Sequence, residues 1–240
     1  MNAMKFCDLH THVLPGADDG APTMEYALQM LQNAVASDVS LLAVTPHWGG
    51  PCPTPTEDLR ARFLLLQQAA QSLPVQLYLG AEVLADAHLL PQLSPGTLPT
   101  ISGGRYLLTE FPVDADPAYF LETLQRLLDL GYIPLVAHPE RYHAVCQQPQ
   151  IVLPWLDMGC HLQLTGRSLL GEYGKNIQRT AAFLLQKDLV ACIASDAHGL
   201  HRRSNFLLDV YDHLSVQYSK QYALCLMREN PTAICLNADL

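Results

Sequence analysis

The chain has 240 residues, 49% hydrophobic and 15% charged, which supplies a sizeable core and excludes a disordered, solvated polypeptide. Its formal net charge is -9, from 14 Lys+Arg against 23 Asp+Glu, with no basic run, which excludes a sequence-independent binder of nucleic-acid backbones.

Short apolar runs of β type alternate with helical segments, the pattern of an α/β protein with a mostly parallel sheet. The first strand is expected at about 5–9. It runs into His10 and His12, then a Pro15-Gly16 turn and the acidic loop Ala17-Asp18-Asp19-Gly20. A helix follows at about 23–37, with Ala27, Leu28, Leu31, Ala34 and Val35 on one face, and a second strand at 41–45 ends in Pro46-His47. Residues 48–55 carry loop punctuation, and Thr54-Pro55-Thr56-Glu57 reads as a capping box for the next helix. A third strand at about 75–79 leads to Gly80-Ala81-Glu82. A short helix is expected around His88–Leu90, and Pro95-Gly96 turns the chain.

The fourth strand, 106–109, ends at Glu110. Asp116-Pro117 opens an apolar helix that stops at Gly131. The fifth strand, 133–137, ends in His138-Pro139-Glu140-Arg141. Helices at about 149–158 and 174–187 flank a sixth strand at 161–164, and a seventh at 190–194 ends in Ser195-Asp196-Ala197-His198. Residues 204–236 read as two helices, with a last short turn from Asn230-Pro231-Thr232. Without repeat or linker, residues 1–240 are expected to form one domain.

Six of the seven expected strands thus end in His, Asp or Glu: His10 and His12, His47, Glu82, Glu110, His138, and Asp196 with His198. A parallel α/β barrel gathers its active site at that edge. A lone strand-end His is usually a hydrogen-bonded loop residue, but the joint pattern is hard to reach with only ten His. His10 and His12, two apart in a strand, point to one side. Mixed imidazole and carboxylate suits zinc, manganese or iron. With Asp19 as a further candidate, nine groups exceed the ligands of one ion and suffice for two or three, Glu82 and Glu110 serving as bridges. Three divalent ions would bring six positive charges against four carboxylates, a cavity suited to a phosphate dianion.

The stretches Phe6-Cys7-Asp8-Leu9-His10-Thr11-His12, Thr45-Pro46-His47, Gly80-Ala81-Glu82, Ala137-His138-Pro139-Glu140-Arg141-Tyr142 and Ile193-Ala194-Ser195-Asp196-Ala197-His198 resemble the polymerase-and-histidinol-phosphatase (PHP) superfamily of metal-dependent phosphoesterases. Asp18-Asp19-Gly20, the 137–142 block and the length bring it nearest to the bacterial manganese-dependent protein-tyrosine phosphatases of capsule and exopolysaccharide synthesis, the CpsB/YwqE group. The resemblance spans about residues 5–236. It implies a distorted (β/α)7 TIM-like barrel of the PHP fold with a cluster of two or three divalent ions, manganese before iron, zinc or magnesium. By the family motif, His10, His12, Glu82 and Asp196 would hold one ion, Glu82, Glu110 and His138 would share others, and Asp19, His47 and His198 would complete the set. Arg141 and Arg203 would bind the phosphoryl group, with Arg202 as the alternative to Arg203, and Asp19 would stand with them among the catalytic residues. The implied substrate is a phosphotyrosine-bearing protein, a membrane tyrosine autokinase. A small phosphomonoester such as histidinol phosphate is the alternative.

The loops depart from the group. Trp48-Gly49-Gly50-Pro51-Cys52-Pro53 follows His47 where basic residues are usual, and Gly199 and His201 follow His198 where Asn is usual. Trp48 is expected either to stack a phosphotyrosine ring or to cap the barrel. Seven cysteines without a Cys-x-x-Cys argue against a disulfide framework or zinc ribbon, and read as buried thiols in a reducing cytosol. None has an Arg six residues on, so no thiolate phosphatase loop exists. No apolar stretch approaches the roughly 20 residues of a membrane span, so a cytoplasmic protein, not inserted in the membrane, is expected.

Overall fold

In the computed structural model, residues 5–50, 54–89 and 93–240 are described. The strands are β1 (Phe6–Thr11), β2 (Val39–Val44), β3 (His47–Trp48), β4 (Gln76–Leu79), β5 (Glu82–Leu84), β6 (Tyr106–Glu110), β7 (Ile133–Ala137), β8 (His161–Thr165) and β9 (Cys192–Ala194). Every pairing is parallel, in two sheets ordered β1-β2-β4 and β3-β5-β6-β7-β8-β9.

The two sheets are arcs of one ring. Pro46, which has no N–H to donate, separates β2 from β3, and Gly80-Ala81 separates β4 from β5. The amides of Gly80 and Glu82 donate to the carbonyls of Val44 (2.9 Å) and Pro46 (3.0 Å), carrying the pairing across both breaks. On the other side, Asp196 N–H donates to His10 O and His12 N–H to Ala197 O, both at 2.9 Å, joining the end of β9 to β1. The outcome is a seven-stranded parallel barrel, distorted where two strands are broken.

Strand alternation sorts the core. Cys7, Leu9, Ala43, Tyr106, Leu108, Leu135, Ala137, Cys192 and Ala194 form one buried cluster inside the barrel, joined by Ile234 and Cys235 from the C-terminal helix. Leu107, Val136, Leu162, Leu164 and Ile193 point outward into a larger cluster under the helices. Those helices include α1 (Met24–Ala36), α2 (Thr56–Ala69), α3 (Pro117–Asp129), the short α4 (His143–Gln147), α5 (Leu153–Asp157) and α6 (Gly166–Leu169), and α7 (Lys175–Gln186). Phe120 of α3 is buried against Phe111, Tyr142 and Trp155, with ring centroids 4.8–5.3 Å apart.

Some expectations need correction. The helix expected to open with a capping box at Thr54 starts at Thr56, with Pro55 at the cap and no side-chain cap bond. The Thr54 carbonyl instead accepts the Trp48 indole N–H at 2.9 Å. Trp48 is half-buried against the outer core, so its ring is engaged with its own loop. The tail forms two helical runs as expected, α8 (Leu208–Gln217) and an unbroken run of α9 (Lys220–Leu224), a π-helical turn Cys225–Glu229 and α10 (Asn230–Cys235), the π turn falling just before Pro231, which has no N–H to continue the α-helical ladder. Residues 86–89 make a turn around the Asp86 carboxylate, which accepts the amides of His88 and Leu89. Leu90 lies outside the described residues, as do Pro51, Cys52 and Pro53. The described cysteines are free thiols, and Cys7, Cys160, Cys192 and Cys235 are buried.

Candidate metal centre

β1 carries the first donors past a bulge. Asp8 pairs with Leu42 and Thr11 with Val44, so Leu9 and His10 together face Ala43 alone. The extra residue lets Leu9 stay in the interior cluster while His10 and His12 also turn inward. The His10 ring meets the Gln163 side-chain oxygen of β8 at 2.9 Å through Nδ1, leaving Nε2 3.1 Å from His12 Nε2.

Glu82, fully buried at the start of β5, is the hub. Its Oε2 lies 3.2 Å from His10 Nε2, 3.3 Å from His12 Nε2 and 3.0 Å from His47 Nδ1, and its Oε1 lies 2.8 Å from His138 Nε2. Asp196 Oδ1 lies 3.4 Å from both His10 Nε2 and His12 Nε2. Glu110 is 3.7 Å from His47 and from His138. Asp19, at the exposed mouth, is 3.4 Å from His47 Nε2 and 3.3 Å from His198 Nε2. Eight of the nine candidates fall into three overlapping groups of donors: His10, His12, Glu82 and Asp196; His12, Asp19, His47 and His198; and His47, Glu82 and Glu110. His138, the ninth, touches both Glu82 and Glu110.

This donor set fits divalent cations. Glu82 Oε2 and His198 Nε2 are buried without a hydrogen-bond partner among the described residues, although donors and acceptors crowd around them. Orphaned buried acceptors are costly unless a cation satisfies them. The electrostatics agree. Burial alone would raise the Glu82 carboxyl, but His10, His12 and His138 hold it well below the usual range. Asp196 is likewise low, burial being overcome by His10, His12 and Arg141. Burial and the Glu82 charge push Glu110 up to about 7. Burial and the neighbouring His12 push His198 down to about 3.

Backbone strain gathers here too. His138, Asp196 and Arg203 adopt positive φ of 34°, 51° and 50°, a left-handed conformation that non-glycine residues rarely take.

Both arginines end on Asp196. Arg141 Nη1 is 2.6 Å from Oδ2 while its Nη2 donates to Thr165 Oγ1 at 3.1 Å, and its guanidinium lies 4.3 Å over the Tyr173 ring. Arg203 Nη2 lies 3.1 Å from both Asp196 oxygens, whereas Arg202 is exposed, so Arg203 is the arginine at the cluster.

Several supporting residues escape a strand-end reading. Asp18 accepts His12 Nδ1 at 2.8 Å and the His47 amide at 2.9 Å. These bonds and the Gly20 amide hold its carboxyl down at about 2 against the effect of burial. Gly20 makes this possible, since a Cβ there would lie 1.9 Å from the His12 carbonyl oxygen. Glu140, fully buried, accepts Thr165 N–H (3.0 Å) and Ser168 O–H (2.7 Å), bracing the turn that meets Arg141. The acidic Asp18-Asp19-Gly20 stretch and the His138-Pro139-Glu140-Arg141 block held the sequence signals for these, although neither gave Asp18 or Glu140 a role.

Fold and site together define a class: a parallel (β/α) barrel with overlapping groups of candidate metal donors at the carboxyl ends of its strands. Residues 6–236 match the family described as capsular polysaccharide synthesis, CpsB/CapC, and the chain belongs to that family. It is 29% identical to the tyrosine-protein phosphatase CpsB of Streptococcus pneumoniae over 238 residues, covering 96% of this chain and 98% of that one. It is also 29% identical to the tyrosine-protein phosphatase YwqE of Bacillus subtilis, over 82% and 79% of the two chains. A solved structure from the work on YwqE and CpsB, metal-dependent tyrosine phosphatases of those organisms, superposes with a TM-score of 0.90 at 26% identity, covering 98% of this chain and 96% of that one. The phosphotriesterase homology protein of Escherichia coli, at 13% identity and a TM-score of 0.63 over 97% and 99% of the chains, shares the fold.

Proposed function

We propose that this chain, acting as one domain, is a metal-dependent protein-tyrosine phosphatase. The observation that carries the reading is Glu82, a buried carboxylate at the meeting point of four imidazoles, with two arginines a residue away on Asp196. The metal ligands we assign are His10, His12, Asp19, His47, Glu82, Glu110, His138, Asp196 and His198, with manganese as the leading metal. Bound divalent ions supply the Lewis acidity that phosphomonoester hydrolysis needs.

The chain's own residues do the rest. Arg141 and Arg203 each present a planar fork to a phosphoryl group seated at the cluster, neutralising charge that grows on its oxygens. Thr165 and the Tyr173 ring hold the Arg141 fork in place. Asp19 stands at the exposed mouth of the cluster, 3.4 Å from His47 and 3.3 Å from His198. Gln163 and Asp18 fix the rings of His10 and His12 through Nδ1 and turn both Nε2 atoms toward Glu82 and Asp196.

The capsular family and the phosphatase names of the relatives support a membrane tyrosine autokinase of polysaccharide synthesis as the physiological substrate, met in the cytoplasm. Among the described residues no helix is long and apolar enough to cross a membrane. The test is kcat/KM on a phosphotyrosine peptide and on histidinol phosphate, before and after verified removal of metal by chelation. The expected result is preference for the peptide, loss on stripping and recovery with manganese. Undiminished turnover in metal-free protein sinks the proposal, and preference for histidinol phosphate replaces the substrate.

A further inference from the structure

Beside the cluster, a second cleft of about 660 Å³ opens on the other side of Arg141. Val113, Arg141, His143, Tyr173, Lys175 and Ile177 line it, and Arg141 also reaches Asp196 of the cluster at 2.6 Å. Its electrostatics run against those of the molecule. The chain carries a net charge of -9, yet among the described residues lining this cleft none is acidic, and Arg141 and Lys175 are fixed cations. Lys175 and His143 are exposed, and so is Val113 at 48%. The first turn of α7, whose cap Gly174 offers no side chain, adds the positive end of a 12-residue helix to a lining that is already cationic. Val113, Ile177 and the face of Tyr173 leave room for a polypeptide backbone between the charges.

We propose that this cleft is a subsite for the segment flanking the phosphotyrosine, selecting an acidic side chain next to the modified residue through Lys175. The proposal rests on the phosphotyrosine reading above. With the phosphoryl group on Arg141, the chain leaving the tyrosine passes Tyr173 and reaches Lys175 within the same cleft. An Asp or Glu there meets the lysine, whereas a Lys meets a like charge.

The experiment compares two phosphotyrosine hexapeptides, identical except for Glu or Lys beside the tyrosine, with free phosphotyrosine as reference. Each kcat/KM is divided by that of the same variant on free phosphotyrosine, so a folding defect cancels. The manganese-loaded protein should favour the Glu peptide by about tenfold at low salt, with the preference shrinking as salt screens it. Lys175→Glu should invert the ratio, and Lys175→Gln should bring it close to one. Equal values for the two peptides, or a ratio unmoved by Lys175→Glu, overturns the subsite while leaving the phosphatase reading intact. Absence of turnover on free phosphotyrosine and both peptides overturns that reading, and the subsite with it.

Discussion

Asp18 and Asp19 are adjacent in sequence and differ in almost everything else. Asp19 is exposed at the mouth beside His47 and His198, while the Asp18 side chain is buried and spends its oxygens on His12 Nδ1 and two amides. A carboxylate behind an imidazole fixes the ring and raises its basicity, and losing one typically costs 10–100-fold in metal affinity. Asp18→Ala should therefore weaken manganese binding by about that factor in a chelator-competition titration; unchanged affinity contradicts the role. The buried thiols give a pH prediction. Burial raises Cys160 to about 12 and Cys192 further, whereas unfolded thiols ionise near about 8.5. The folded state holds these protons longer, so its stability is complete below about pH 8.5 and falls as pH climbs towards 12. Urea midpoints at pH 8 and pH 10 should show the decline, and Cys160→Ala should flatten it.

At the scale of elements, the helices obeyed local rules where side chains were free to act. Thr23 caps α1 by accepting the Tyr26 amide, and Asp116 with Pro117 opens α3 by accepting the Ala118 amide. Thr23→Ala should cost about 1 kcal/mol in chemical denaturation. The loop from His12 to Ala21 depends on one glycine. Gly20→Ala must displace the His12 carbonyl, and should cost about 3 kcal/mol together with metal affinity. Calorimetry and metal titration of that variant would show both losses, and a variant retaining full stability would contradict the close approach. Where local rules failed, tertiary contacts won: the Thr54 carbonyl serves Trp48, and α2 begins without a box.

For the whole molecule, the cluster binds together the ends of six barrel strands, so metal should stabilise the fold as well as activate it. A ligand at about 100 times its Kd adds about 2.7 kcal/mol, which for a domain of this size raises Tm by about 5–10 °C. Adding manganese to chelator-treated protein should produce that rise in a thermal scan. A flat response would mean that the donors do not hold the ion. The barrel also explains why its lower end is apolar: Ile234 and Cys235 of α10 close it against Cys7 and Cys192, leaving the polar chemistry to the other end.

The strand-end pattern of His, Asp and Glu was legible because β-strand period and parallel α/β order are local properties, and together they placed eight donors on one edge, to which the acidic loop added Asp19 as a candidate. The His-x-His spacing was legible for the same reason. The preference for Arg203 over Arg202 came from the motif resemblance, but sequence could not reveal the bulge that turns His10 inward, the way Pro46 and Gly80-Ala81 break two strands of the ring, or the support that Gln163 gives His10. Those depend on which backbones approach one another across the ring, and the contacts of His10 with Gln163 and with Asp196 join residues more than a hundred positions apart. The second cleft was equally hidden, since Val113, Arg141 and Lys175 become neighbours only when three βα-loops converge on the same rim.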